Sequence, residues 1–117
     1  MSKRLVVTGT RQGRADVWLL LDEFVQKYGV PSMVLVGDAR GVDEDARAWA
    51  LARGIPLKVF KADWETHGRS AGPLRNSTMV NAAEPGDWCL AFPKEESRGT
   101  RDCVRKAKIR GLSVFVL

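Results

Sequence analysis

No apolar run in this sequence approaches the ~20 residues that cross a bilayer, so a helical membrane span is excluded. The stretch from Met1 to Gly9 is too brief for a secretory hydrophobic region, and the expectation is a soluble, cytoplasmic protein without membrane contact. Cysteine is scarce: Cys89 and Cys103 stand fourteen positions apart, with no CxxC and no Cys/His cluster at zinc spacing. That excludes a disulfide scaffold and a zinc module, and it leaves two reduced packing thiols with no metal expected. Histidine occurs once, as His67. The Lys-containing phosphate loop, a strict GxGxxG after the first strand, GxSxG and HExxH are all missing. A standard NTPase or NAD-dependent dehydrogenase is therefore excluded, and no cofactor is expected.

What is present suits one domain. A chain of 117 residues, 44% hydrophobic and 28% charged, can bury about two thirds of the surface its unfolded form exposes. The net charge is +5, and the segment Lys94 to Arg110 carries most of it, with seven bases against three acids. Such an excess favours a polyanionic partner, a phosphorylated small molecule or nucleic acid, or else is a solvated helix face.

Short β-branched runs alternate with stretches of helical period, the pattern of a parallel sheet with crossover helices. The expected fold from this pattern is α/β, a parallel sheet of five strands with four crossover helices. The strands are Leu5 to Thr8, Met33 to Val36, Leu57 to Phe60, Trp88 to Phe92 and Ser113 to Leu117. The first helix, from about Arg14 to Tyr28, places Val17, Leu20, Leu21, Phe24, Val25 and Tyr28 on one face. A second spans about Asp43 to Arg53. Pro73 is tolerable only in a first turn, so the third begins near Ser70 to Gly72 and runs to about Ala82. The fourth runs from Thr100 to Gly111. Trp18, Trp49, Met33 and Met79 are expected in the core.

The unusual residues gather directly after strands. Gly9, Thr10 and Arg11 follow the first; Gly37, Ala39, Arg40, Gly41 and Asp43 follow the second. Trp64, Gly68, Arg69, Gly72, Arg75 and Asn76 follow the third, and Pro93, Ser97, Arg98, Gly99 and Thr100 follow the fourth. Ligands of open α/β sheets bind at this carboxyl edge. Glycines let backbone approach a phosphate, helix starts offer free N–H groups, and Arg11, Arg40, Arg69, Arg75 and Arg98 add bidentate donors. Without an anion those arginines must instead pair with acids such as Asp38, Asp43, Asp63 and Glu65. Trp64 is either a stacking surface for a base or a cap on the sheet end. His67 is read as structural, or as a general base or a donor to phosphate. Asp43 either holds a ribose hydroxyl or caps the second helix. Replacing Arg11 or Arg75 with Ala is expected to abolish binding and leave the fold intact, both being read as loop residues.

Together these clusters resemble the YspA-type branch of the SLOG superfamily, frequent in bacteria and their phages. The resemblance spans Gly9-Thr10-Arg11, Ala39-Arg40-Gly41 with Asp43, Ala46, Trp49 and Ala50, then Gly68-Arg69-x-Ala71-Gly72-x-x-Arg75-Asn76, then Pro93 and Ser97 to Thr100. It implies a Rossmann-like three-layer sandwich, five mostly parallel strands in the order 3-2-1-4-5 with four crossover helices, that binds a nucleotide or a derivative such as ADP-ribose or a cyclic nucleotide, as a sensor or sequestering module. Superfamily relatives also imply two alternatives. The Lonely Guy phosphoribohydrolases hydrolyse nucleotides, and the DNA-processing protein A family binds single-stranded DNA. The hydrolases carry a catalytic Glu three residues after a Gly-Thr pair, where this chain has Cys103, while Arg75 matches their upstream Arg. The catalytic residues are thus unknown. Asp102 is turned ~100° from the direction of Cys103, which leaves Glu95, Glu96 and the acids of the other loops as substitutes. The thin helix cover of a small sheet, and the relatives' habit, imply a homo-oligomer.

Overall fold

A computed structural model describes residues 2–95 and 97–117, so Glu96, one of the carboxylates considered above, lies outside the described residues. The strands are β1 (Arg4–Gly9), β2 (Met33–Gly37), β3 (Leu57–Phe60), β4 (Trp88–Phe92) and β5 (Ser113–Val116). All pairings are parallel, in the order β3-β2-β1-β4-β5. The expected sheet order is therefore the observed one.

Period-two alternation in β1, β2 and β4 explains the two layers. Leu5 and Val7, Val34 and Val36, and Leu90 and Phe92 point to one side, where they meet Val17, Leu21 and Phe24 of α1 (Val17–Tyr28) and Ala46, Trp49 and Ala50 of α2 (Val42–Ala52). Val6, Leu35 and Cys89 point to the other side. There they meet Met79 and Val80 of α4 (Ala71–Asn81) and Cys103 and Ala107 of α5 (Arg98–Arg110). Each such Val or Leu buried from water contributes ~1.5–3 kcal/mol.

The differences from expectation are local. Helix α1 begins at Val17 rather than Arg14, because the Arg14 guanidinium is held by the Asp16 carboxylate (2.8 and 3.1 Å) and donates to the Leu117 carbonyl at 2.6 Å. Trp18 is not core: it is exposed beneath the Arg53 guanidinium, 5.2 Å from its ring centroid. Tyr28 is exposed too, at the rim of an aromatic cluster with Phe24 and Phe115. The connection after β3 contains an unexpected one-turn helix, α3 (Trp64–His67), and a 3₁₀ turn over Gly68–Ser70. Asp63 nucleates it by accepting the Thr66 N–H at 3.2 Å. Helix α5 starts two residues early, at Arg98, and the Ser97 hydroxyl accepts from the Lys94 N–H (2.9 Å) instead of capping the helix. No helix among the described residues is long and apolar enough to cross a membrane.

Candidate functional site

The loops after β1, β2, β3 and β4 meet at the carboxyl edge of the sheet and enclose a cavity of about 1010 Å³. That is at the upper end of the range of ligand pockets. Thr10 ties the loops together: its N–H donates to the Phe92 carbonyl (3.0 Å), and its own carbonyl accepts from Val42 N–H (3.1 Å). Gly41, at φ 76°, lets the chain turn against the Thr10 and Arg11 backbone, where a Cβ would come within 2.6 Å of Arg11. Arg47 donates to the Gly37 and Ala39 carbonyls at 2.8 and 2.9 Å, which fixes the loop after β2.

The cavity floor is a hydrogen-bonded chain. Arg75 donates from Nη1 to the Asp38 carboxylate and from Nε to the Asn76 side-chain oxygen, both at 3.0 Å. Asn76 passes the chain on, donating to the Gly99 carbonyl and the Asp102 carboxylate, each at 3.1 Å. Asp102 is closed off by Arg105 (2.8 Å) and Lys106 (2.9 Å). Arg75 thus sits on a helix, its side chain only 9% exposed, and is not the free loop cation expected. Gly37 lies beneath it: a methyl there would collide with the Arg75 guanidinium and the Asp43 carboxylate.

Asp43, in the first turn of α2, is buried and accepts the Ala39 N–H at 3.3 Å. It does not cap the helix, since Gly41 is at the N-cap. Burial pushes its carboxyl up to about 6 against the pull of Arg75. Asp102 goes the other way: burial works to raise it, but hydrogen bonds from Lys106, Asn76 and Arg105 outweigh that and hold it below the ordinary range. Of the three carboxyls that line the cavity, Asp43, Glu95 and Asp102, Asp43 and Asp102 thus have separated ionisation. Cys103 faces the sheet, where its hydrogen bond to Cys89, together with burial, pushes the Cys89 thiol up.

The walls are cationic. Arg11, Arg69, Lys94 and Arg98 line the cavity, and among the described residues none has a carboxylate partner. Arg11 lies over Trp64, 5.5 Å from its ring centroid, and Trp64 is 47% exposed. Of the two outcomes expected for the arginines, Arg75 alone takes the carboxylate, Asp38. Gly9, Thr10, Ala39, Gly72, Ser97, Gly99 and Thr100 also line the cavity.

Five anticipated residues do not line it. Gly37 and Gly41 support its floor and rim, Gly68 ends α3, and Pro93 follows β4. Arg40 borders a smaller adjoining hollow of about 280 Å³, shared with Arg11 and Trp64. His67 is exposed and lines neither. Conversely, Thr8, Gln12, Pro73, Met79, Lys94, Glu95 and Asp102 line the cavity without having been singled out as binding residues. Asp102 corrects the reading from helical rotation: the turn that buries Cys103 swings Asp102 to the cavity. Among the described residues, no three His, Cys, Asp or Glu side chains cluster as metal ligands.

Comparison with known proteins agrees with this architecture. Residues 3–67 match the model of the YspA, cpYpsA-related SLOG family, which spans β1 to the end of α3. The chain is also 39% identical over 120 aligned residues, 97% of its length and 94% of the relative's, to the "Gene 61 protein" of Mycobacterium phage D29. No solved structure matches it significantly. A family match over more than half of the chain shows that the protein belongs to the YspA, cpYpsA-related SLOG family.

Proposed function

We propose that the cavity binds a nucleotide or nucleotide-derived ligand, with its phosphate among Arg11, Arg69, Lys94 and Arg98 and its base toward Trp64. One observation carries this reading: four cations converge on one cavity without a carboxylate partner among the described residues. Gathered cations repel one another, and a phosphate shared between them relieves that repulsion. The opening turn of α5, with N–H groups lacking intrahelical acceptors, adds donors at the same rim. The exposed Trp64 ring, with Arg11 above it, offers a planar surface for a base. Family membership supports a nucleotide-related ligand. The protein serves as a sensor or sequestering module for that ligand.

Calorimetric titration with AMP and with adenosine tests the reading. AMP binds with one-to-one stoichiometry and adenosine at least ~10-fold more weakly, because charge-assisted bonds to phosphate contribute ~1.5–3 kcal/mol. Equal affinities, or no binding by any phosphorylated nucleoside or dinucleotide, contradict it.

A second reading, hydrolysis of the bound ligand, is favoured by the separated ionisation of Asp43 and Asp102. An Asp43 that exchanges its proton near pH 6, together with an Asp102 that stays ionised, is a combination that acid–base chemistry uses. Chromatography of the incubated ligand separates the two: intact ligand supports the binding module, and many product equivalents per protein support the hydrolase.

A further inference from the structure

The outer face of α5 carries a line of cations, of which only Arg105 reaches the chain of the cavity floor, through Asp102. Arg98, Arg101, Arg105 and Lys108 are exposed and follow one another at intervals of three, four and three residues. At ~100° per residue they share one narrow arc of the helix, turned away from the buried side defined by Thr100, Cys103 and Ala107. The sole acid of α5, Asp102, engages Arg105 and Lys106. Arg98, Arg101 and Lys108 have no carboxylate partner among the described residues. The neighbouring α4 has no acidic residue at all, whereas α1 and α2, across the sheet, hold five acids against two bases. Positive charge is thus segregated onto one layer.

Arg98 belongs to both features. It lines the cavity and heads the line on α5, so the cationic surface runs without a break from the cavity mouth down the helix. Arg98 to Lys108 covers ~15 Å of helix, the length of about four stacked nucleotides at ~3.4 Å each.

We infer that the outer face of α5 holds the phosphate backbone of a nucleic-acid strand whose terminal nucleotide occupies the cavity. The inference rests on the nucleotide reading of that cavity. A regularly spaced line of cations matches a polymer of regularly spaced anions, and continuity with the cavity selects a strand end. Neither α4 nor α5 supplies an aromatic ring, so there is no platform for stacking further bases. Contact beyond the terminal nucleotide is with phosphates, independent of sequence and weakened by salt. An acidic protein would ask for apolar anchors along the line, and Ile109 is the one large exposed apolar side chain on α5.

The test measures affinity for deoxyadenosine monophosphate and for oligodeoxyadenylates of two, four and eight nucleotides, at several salt concentrations. The affinity rises up to four nucleotides and then levels off, and the salt slope grows by ~0.7 per added phosphate contact. The double variant Arg101→Glu with Lys108→Glu weakens the eight-nucleotide strand about tenfold or more and leaves the monophosphate unchanged, which also shows that the variant is folded. A circular strand of the same composition, lacking an end, binds much more weakly than the linear one. Monophosphate binding that does not tighten with length, or a circular strand that binds equally well, overturns the inference and leaves the nucleotide reading standing. If neither the monophosphate nor any strand binds, the nucleotide reading fails and the inference falls with it. Tight binding of an acidic polypeptide such as polyglutamate in place of the strands assigns the face to a protein partner and overturns it as well.

Discussion

Arg75 Nη1 meets the Asp38 carboxylate at 3.0 Å, joining the first turns of α4 to the loop after β2 across 37 positions of chain. With Nε on Asn76, this fixes the guanidinium before any ligand arrives. Its role is structural as well as chemical.

Replacing Arg75 with Ala leaves Asp38 with only the Ala62 N–H (3.3 Å) as donor, leaves the Asn76 oxygen without its donor, and removes a cation that pulls on Asp43. Urea unfolding should show a loss of about 2–4 kcal/mol, together with lost nucleotide affinity. A fully stable variant would mean that the floor network does not support the fold.

Arg11 offers the contrast. It is exposed and touches Trp64 but pairs with no acid among the described residues. Arg11→Ala should leave stability within ~0.5 kcal/mol and reduce affinity for a phosphorylated nucleotide about tenfold or more. A change in stability without a change in affinity would contradict that assignment.

Asp43 predicts a pH dependence of folding. Its carboxyl is raised to about 6 in the folded protein against an ordinary 3.8, so between these values the native state keeps a proton the unfolded chain has lost. Stability should therefore fall as pH rises from ~4 to ~6 and level off above, by up to about 3 kcal/mol from this residue. Asp43→Asn should flatten that decline and be the more stable protein at pH 7. Asp102, held low, acts in a separate window, losing stability as pH falls through its folded value. Parallel pH curves for wild type and Asp43→Asn would sink the assignment.

Gly37→Ala places a methyl against both the Arg75 guanidinium and the Asp43 carboxylate. Displacing them should cost roughly 1–3 kcal/mol and weaken ligand binding, although Gly37 does not line the cavity. Wild-type affinity in this variant would show that the floor tolerates displacement.

Both layers were legible because Leu5/Val7 and Val6 alternate cleanly and β1, β2 and β4 end on or just before a Gly or Pro, whereas the sheet order came with the family resemblance. The site's edge was legible for a similar reason, since the Gly- and Arg-containing clusters fall directly after strands. What depended on rotation or distance was not. Asp102 reaches the cavity because of how α5 is turned about its axis, and Arg75 is buried because of an acid 37 positions earlier. Helix α3 rests on a single cap, Asp63 to Thr66, inside a polar stretch with no apolar period. Trp18 shares a helix with core residues, but its ring is held outside by Arg53, from a different helix end.

The most direct measurement is native mass spectrometry of the purified protein, alone and after incubation with AMP, NAD, ADP-ribose and cyclic dinucleotides. One nucleotide-derived ligand should be retained per chain at its intact mass, and Arg11→Ala should lose it while keeping the charge-state distribution of the folded protein. A protein that retains none of these compounds, or an Arg11→Ala variant that retains the ligand as well as the wild type, would contradict a phosphate-binding cavity at the carboxyl edge of the sheet.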